Sequence, residues 1–264
     1  MNQRFSFMGE QSEMKSKKNR TSRCGGLDFS GNMPKICVPI VESGLPALIH
    51  EIRGAQDLPI DLLEWRMDQY FGDPLNALPE IKKEAKDLPL LCTLRSKGEG
   101  GNQAGTPDQL AETLEKVIES GLCDLIDIEL SLGEKLIGEL VLAAGYRQIG
   151  TVLSKHDFQK TPAKGEMMAD FWAMHRLGAD LCKYAVMPGS PKDLIQLLDA
   201  SVTARAEIGP VIAIAMGELG KITRVSGSYF GSCMTFSIGS RASAPGQIPA
   251  EEMRAVLQDL YPRL

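Results

Sequence analysis

Eight short apolar runs, each followed by a stretch of helical period, constrain this chain more than any other feature. The runs are KICVPIV (35–41), LLEWRMD (62–68), PLLCTLR (89–95), DLIDIEL (124–130), RQIGTVLS (147–154), ADLCKYAV (179–186), PVIAIAM (210–216) and SCMTFSI (232–238). Most are nearly continuous in apolar residues instead of alternating, the pattern of a parallel sheet covered on both faces. Between them TPDQLAETLEKVIESG reads as a helix, with Thr106 as N-cap, Pro107 at the first helical position, Gln109 closing a capping box and Gly121 at the end. GSPKDLIQLLDASVTARAEIG repeats the design with Ser190 and Pro191. SGLPALIHEIRGA, DPLNALPEIKKEAK, LGEKLIGELVLAAG, PAKGEMMADFWAMHRLG and IPAEEMRAVLQDLY fill other gaps with a period near 3.6. Eight strands in 264 residues predict an α/β fold, a single-domain (β/α)8 TIM barrel, over an open doubly wound sheet. The first strand-to-helix turn, VPIVESGLPALI, has no GxGxxG, so a dinucleotide site has little support.

Composition removes several function classes. A net charge of -5 argues against a nucleic-acid partner, which calls for a basic face. No apolar run approaches the roughly 18 residues of a membrane span, and MNQRFSFMGEQSEMK lacks the apolar core of a signal peptide. Cys24, Cys37, Cys92, Cys123, Cys182 and Cys233 are scattered without CxxC or Cys/His ligand spacing. Four of them fall in predicted strands, as small apolar residues do. We therefore expect a reduced, cytoplasmic protein with no metal site. Residues 1–33 are polar, basic or glycine-rich and read as a flexible N-terminal extension, leaving 34–264 as the barrel domain.

In a barrel of this kind, active-site residues gather at the carboxyl ends of the strands. Strand 2 supplies Glu64, Arg66 and Asp68; strand 3 ends in Arg95 before SKGEGGNQAG; strand 4 carries Asp127 and Glu129. Strand 5 ends SKHDF with His156, strand 6 holds Lys183, strand 7 is followed by GELGKITR with Arg224, and strand 8 leads to Ser243 and Gln247. Each also has a structural reading: the glutamates and arginines as ion pairs, and Asp127 and Glu129 as partners of those arginines or of loop amides. His50 and His175 sit in amphipathic helices and read as packing or surface residues, whereas His156 is a candidate acid or base. Lys183 stands among Leu181, Cys182, Tyr184, Ala185 and Val186. Desolvation there favours a neutral, nucleophilic amine. The other reading is a side chain that reaches the strand end and pairs with a carboxylate.

EWRMD, TLRSKGEGG, SKHDFQKTP, the lysine strand DLCKYAV and SAPGQI, in this order, resemble the type I 3-dehydroquinate dehydratases from Pro34 onward. The resemblance implies a (β/α)8 barrel, a homodimer, no cofactor, and dehydration of 3-dehydroquinate to 3-dehydroshikimate in the shikimate pathway. It makes Lys183 the Schiff-base lysine, His156 the general acid/base and Glu99 the carboxylate that orients it. Glu64, Arg66 and Arg95 then hold ring hydroxyls, Arg224 binds the substrate carboxylate, and Ser243 and Gln247 belong to a closing loop. Phe158, Met216 and Phe236 fit the apolar lining. One departure is Pro39 at the end of strand 1, where some members carry a serine. A class I Schiff-base aldolase of barrel fold is the alternative chemistry.

Overall fold

The computed structural model describes residues 23–261. Eight parallel strands follow one another around a single sheet: β1 (Lys35–Ile40), β2 (Leu62–Arg66), β3 (Leu90–Thr93), β4 (Leu125–Glu129), β5 (Gly150–Asp157), β6 (Leu181–Val186), β7 (Val211–Ala215) and β8 (Met234–Phe236). β8 pairs with β1, and the seam between β7 and β8 is closed by a bridge between Val211 and Ser232. There the Ser232 hydroxyl accepts the Ala213 N–H at 3.1 Å, in place of a longer ladder. The helices are α1 (Leu45–Ala55), α2 (Pro74–Ala85), α3 (Pro107–Ser120), α4 (Glu134–Tyr146), α5 (Lys164–Leu177), α6 (Pro191–Ile208), α7 (Gly217–Ser226) and α8 (Ala250–Leu260). The molecule is a single-domain (β/α)8 barrel, as the alternation predicts.

The capping residues act as their chemistry requires. Gln109 N–H donates to Thr106 Oγ1 while the Gln109 side chain accepts the Thr106 N–H, a reciprocal capping box. Gly121 ends α3 in the left-handed region. α7 is the helix that periodicity did not announce, since Gly217 and Gly220 weaken the helical signal. Gly220 has a packing reason: a Cβ there would lie 2.1 Å from the Ala215 carbonyl oxygen. That close approach of α7 to β7 carries Arg224, one turn further on, beneath the barrel mouth.

Period-two alternation divides each strand between two cores. Outward side chains such as Leu63, Trp65, Cys92, Ile126, Leu153 and Tyr184 pack under the helices. Inward ones form layers. The floor is apolar, with Cys37, Leu62, Leu91, Leu125, Val152, Leu181, Ile212 and Met234. Two residues further along five of the strands the same face turns polar, at Glu64, Thr93, Asp127, Ser154 and Lys183. Next toward the mouth come Arg66, Arg95, Glu129 and His156. The change of polarity along one inward face, not any one strand, places the site.

Residues 1–33 were expected to be a flexible extension; of these, 1–22 lie outside the described residues. Arg23–Cys24 and Leu27–Asp28 pair as an antiparallel hairpin. Phe29, 2% exposed, completes the apolar floor of the barrel, with Cys24 and Leu27 beside it. A Cβ on Gly25, whose φ is +53°, would stand 2.4 Å from Leu125. The folded unit therefore begins before Pro34, because the open lower end of a barrel exposes apolar side chains that need a cover. The run is too short and too glycine-rich to show either period.

Candidate active site

Nine of the residues singled out in sequence line one cavity at the carboxyl ends of the strands; Asp68, Asp127 and Glu129 lie outside its wall. Glu64, Arg66, Arg95, Glu99, His156, Lys183, Arg224, Ser243 and Gln247 share its wall with Phe158, Met216 and Phe236. Its empty space is about 620 Å³, including the open mouth.

Lys183 Nζ lies 3.2 Å from Asp127 Oδ2, 3.9 Å from Glu64 Oε1 and 4.5 Å from the Phe236 ring centre. Its surroundings are thus not purely apolar: the outward Cys182, Tyr184 and Val186 face the helices, and the nitrogen meets two carboxylates. The nitrogen opens on the cavity and is ion-paired there.

Arg95 gathers the acids. Its guanidinium reaches Asp127 Oδ1 at 2.9 Å, Glu129 Oε1 at 3.0 Å and Glu99 Oε2 at 3.4 Å. It also donates to Ser154 Oγ at 3.0 Å, and Ser154 in turn donates to Asp127 at 2.6 Å. Burial works against the charge on Arg95, but these carboxylates outweigh it and hold it more firmly protonated than usual. Burial likewise works to raise the Asp127 carboxyl, yet Arg95, Lys183 and the Ser154 hydroxyl bring it below the ordinary carboxylate range. Arg66 forks onto Asp68 at 2.8 and 2.9 Å, and Asp68 also accepts the Asn102 N–H at 3.0 Å. That bond ties the glycine-rich loop after β3 to β2.

This loop delivers Glu99. Its Oε2 accepts the backbone N–H of His156 at 3.0 Å and faces the ring Nδ1 at 2.9 Å. The loop can approach so closely because Gly100 and Gly101 lack side chains. A Cβ on Gly101 would meet the Arg95 carbonyl oxygen at 2.1 Å, and one on Gly100, whose φ is +80°, would meet the Phe158 ring at 2.3 Å. Burial, helped by Glu129 and Asp127 and opposed by Arg95, raises the Glu99 carboxyl to about 8. Burial and the cations Arg95, Lys183 and Arg66 hold His156 well below the usual histidine range. The ring is therefore neutral near pH 7. Glu99 engages Nδ1, so Nε2 is the ring nitrogen left toward the cavity.

Arg224 is 2% exposed and, among the described residues, pairs with no carboxylate. Its Nη1 and Nη2 donate to the carbonyls of Phe236 at 3.4 Å and Pro245 at 3.0 Å, while Nε has no partner. Burial alone lowers it to about 10. A buried cation without a counter-ion is poised for an anion. Beside it, Gln247 Oε1 accepts the Ser243 N–H at 2.7 Å and its Nε2 donates to Ser243 Oγ at 3.1 Å. This ties the Ser243–Gln247 turn to itself at the cavity edge.

A sequence model of the type I 3-dehydroquinases matches residues 36–262. The chain belongs to the type I 3-dehydroquinase family. It is 39% identical over 246 residues to the 3-dehydroquinate dehydratase of Bacillus licheniformis, covering 90% of this chain and 97% of that one. It is 40% identical over 242 residues to that of Listeria monocytogenes, covering 89% and 96%. Its fold matches the crystal structure of the type I 3-dehydroquinate dehydratase from Clostridium difficile with covalently modified comenic acid. That match has a TM-score of 0.86 and 36% identity, covering 90% and 97% of the two chains. As a type I 3-dehydroquinase, the chain is a dehydratase of the hydro-lyase class.

In this dehydroquinase Arg95 lines the cavity, and the contacts of its Nη atoms run to carboxylates and Ser154. Ser154, 0% exposed and at the centre of the acid cluster, escaped sequence reading. A serine in an apolar strand is unremarkable until the inward face is known. Counting two residues from His156 along β5 would have found it.

Proposed function

We propose that this dehydroquinase converts 3-dehydroquinate to 3-dehydroshikimate through an imine on Lys183, with His156 as the proton carrier. The observation that carries this reading is the cavity itself. An amine, a neutral imidazole and an uncompensated guanidinium open on the same space, from β6, β5 and α7. The Lys183 amine adds to the C3 ketone, and loss of water leaves an iminium that withdraws electrons from C2. His156 Nε2 removes a C2 proton, Glu99 holding the ring by Nδ1. The enamine then expels the C1 hydroxyl, with the histidine returning the proton to the leaving oxygen. Water hydrolyses the product imine and frees Lys183. Arg224 takes the substrate carboxylate, which fixes the ring over the lysine. Glu64 and Arg66 hold ring hydroxyls, Arg95 fixes the acids around the lysine, and the Ser243–Gln247 turn closes over the site. The same reading places the chain in the shikimate pathway, in a reducing cytoplasm with free cysteines, and as a homodimer.

Borohydride reduction in the presence of 3-dehydroquinate tests it. The product's mass should appear on the peptide holding Lys183; a class I aldolase would instead be trapped only with a sugar or sugar phosphate. Dehydroshikimate formation, followed by enone absorbance, should persist with a chelator present. His156→Ala should lose turnover by orders of magnitude yet still form some adduct.

A further inference from the structure

The partner of the lysine is as informative as the lysine. Asp127 lies on β4, one strand removed from Lys183, and its Oδ2 stands 3.2 Å from Nζ. Asp127 is 2% exposed and is not part of the cavity wall. Its contact is with the nitrogen, outside the lining of the cavity. Glu64, also near Nζ, does line the cavity and is free to face a ligand.

The Asp127 carboxylate is fixed from two further sides, by Arg95 Nη2 at 2.9 Å and Ser154 Oγ at 2.6 Å. Other groups around Nζ are Cys37 from β1, Glu64 from β2, His156 from β5 and the Phe236 ring from β8. Among them Asp127 is the nearest anion.

Imine formation conserves charge on the nitrogen. Overall, the ammonium and a ketone give a protonated imine and water. The nitrogen gives up a proton to attack as the free amine, the carbonyl oxygen leaves as water with two hydrogens that began on nitrogen, and the positive charge is present before attack and again in the imine. The imine withdraws electrons from C2 strongly only while it keeps that charge. A fixed anion that touches nitrogen from outside the cavity lining stabilises the charged form without competing for the ketone. We infer that Asp127 is a positioning residue that aims the Lys183 nitrogen at the cavity and, once the imine has formed, holds that nitrogen protonated through C2 deprotonation. Its carboxyl lies below the ordinary range, so it remains an anion and leaves proton transfer to other groups.

This inference rests on the imine reading, and one set of measurements separates the two. Wild-type protein is trapped with borohydride and 3-dehydroquinate across pH; no adduct on Lys183 would remove the imine reading itself. With the adduct present, Asp127→Asn should move the alkaline limb of trapping to lower pH by about one to three units, the range for an opposite charge at this distance. Labelling of free Lys183 by methyl acetimidate, read by peptide mass, should shift in the same direction. Ser154→Ala, which loosens the carboxylate but keeps its charge, should lower the trapping rate and leave the limb in place. A limb unmoved in Asp127→Asn, or moved equally in Ser154→Ala, overturns the assignment. A second measurement needs no variant: the Raman C=N band of the wild-type imine should shift in deuterium oxide throughout the active pH range. A band insensitive to deuterium means a neutral imine, and it refutes the role of Asp127.

Discussion

Substitution of Arg224 by methionine separates a group held for a ligand from one that holds the fold. The guanidinium is buried without an acid, and its fall from the ordinary arginine range to about 10 corresponds to a desolvation cost of about 3 kcal/mol, at about 1.4 kcal/mol per pH unit. That cost is present in full at pH 7, because the folded protein still carries the proton there; it fades only as the pH rises through 10 and the group is released. Methionine removes the charge but strands the Phe236 and Pro245 carbonyls, which costs about 1–3 kcal/mol each when buried and less where water can enter. The terms nearly cancel, so stability should change by no more than about 2 kcal/mol. Arg95→Met is the contrast: three carboxylates lose their partner, for a cost of about 3–5 kcal/mol. At about 2–4 °C per kcal/mol in a domain this size, Arg224→Met should stay within about 8 °C of wild type, and Arg95→Met should melt lower than Arg224→Met. Substrate binding should respond the opposite way. Loss of two charge-assisted hydrogen bonds of at least about 1.5 kcal/mol each should raise KM for 3-dehydroquinate about 100-fold or more. Calorimetry and the enone assay read both quantities. An unchanged KM, or an Arg224→Met melting point as low as that of Arg95→Met, would refute the anion role.

Three other outcomes follow from the geometry. His156 must be neutral to act as a base, and its pKa is held low, so the acid limb of kcat/KM should fall below pH 6.5; a limb at or above that value contradicts the electrostatics of the pocket. Phe29→Ala should destabilise the fold by about 3–5 kcal/mol in urea titration while leaving KM intact at low temperature, since the ring fills the floor and not the cavity; wild-type stability would mean the hairpin is dispensable. Gly100→Ala should cost about 1 kcal/mol for its left-handed backbone and lower kcat through displacement of Phe158 and the Glu99 loop; full activity would show that the loop tolerates a looser fit.

Much of the barrel was legible because its signals are local. Apolar runs, capping residues and terminal glycines report on a few neighbouring residues, and they fixed seven of the helices and all eight strand positions. α7 failed the same test because its glycines serve contact with β7, a long-range cause. The hairpin at 23–28 failed for a related reason, since it is stabilised by the barrel floor more than by its own sequence. For the site, chemistry-bearing residues at strand ends were visible, and the family motifs collected them before any geometry was known.

Sequence by itself determined the alternation of elements, the polarity of the strand ends and membership in the type I 3-dehydroquinase family. Tertiary structure decided what each charge faces. Arg95, just past β3, Asp127 on β4 and Ser154 on β5 are far apart in the chain and meet only because those three strands pair side by side. Whether a buried lysine has a counter-ion and a buried arginine lacks one depends on distances of a few ångströms across the barrel, because charge interactions in a dry interior act through space and not along the chain.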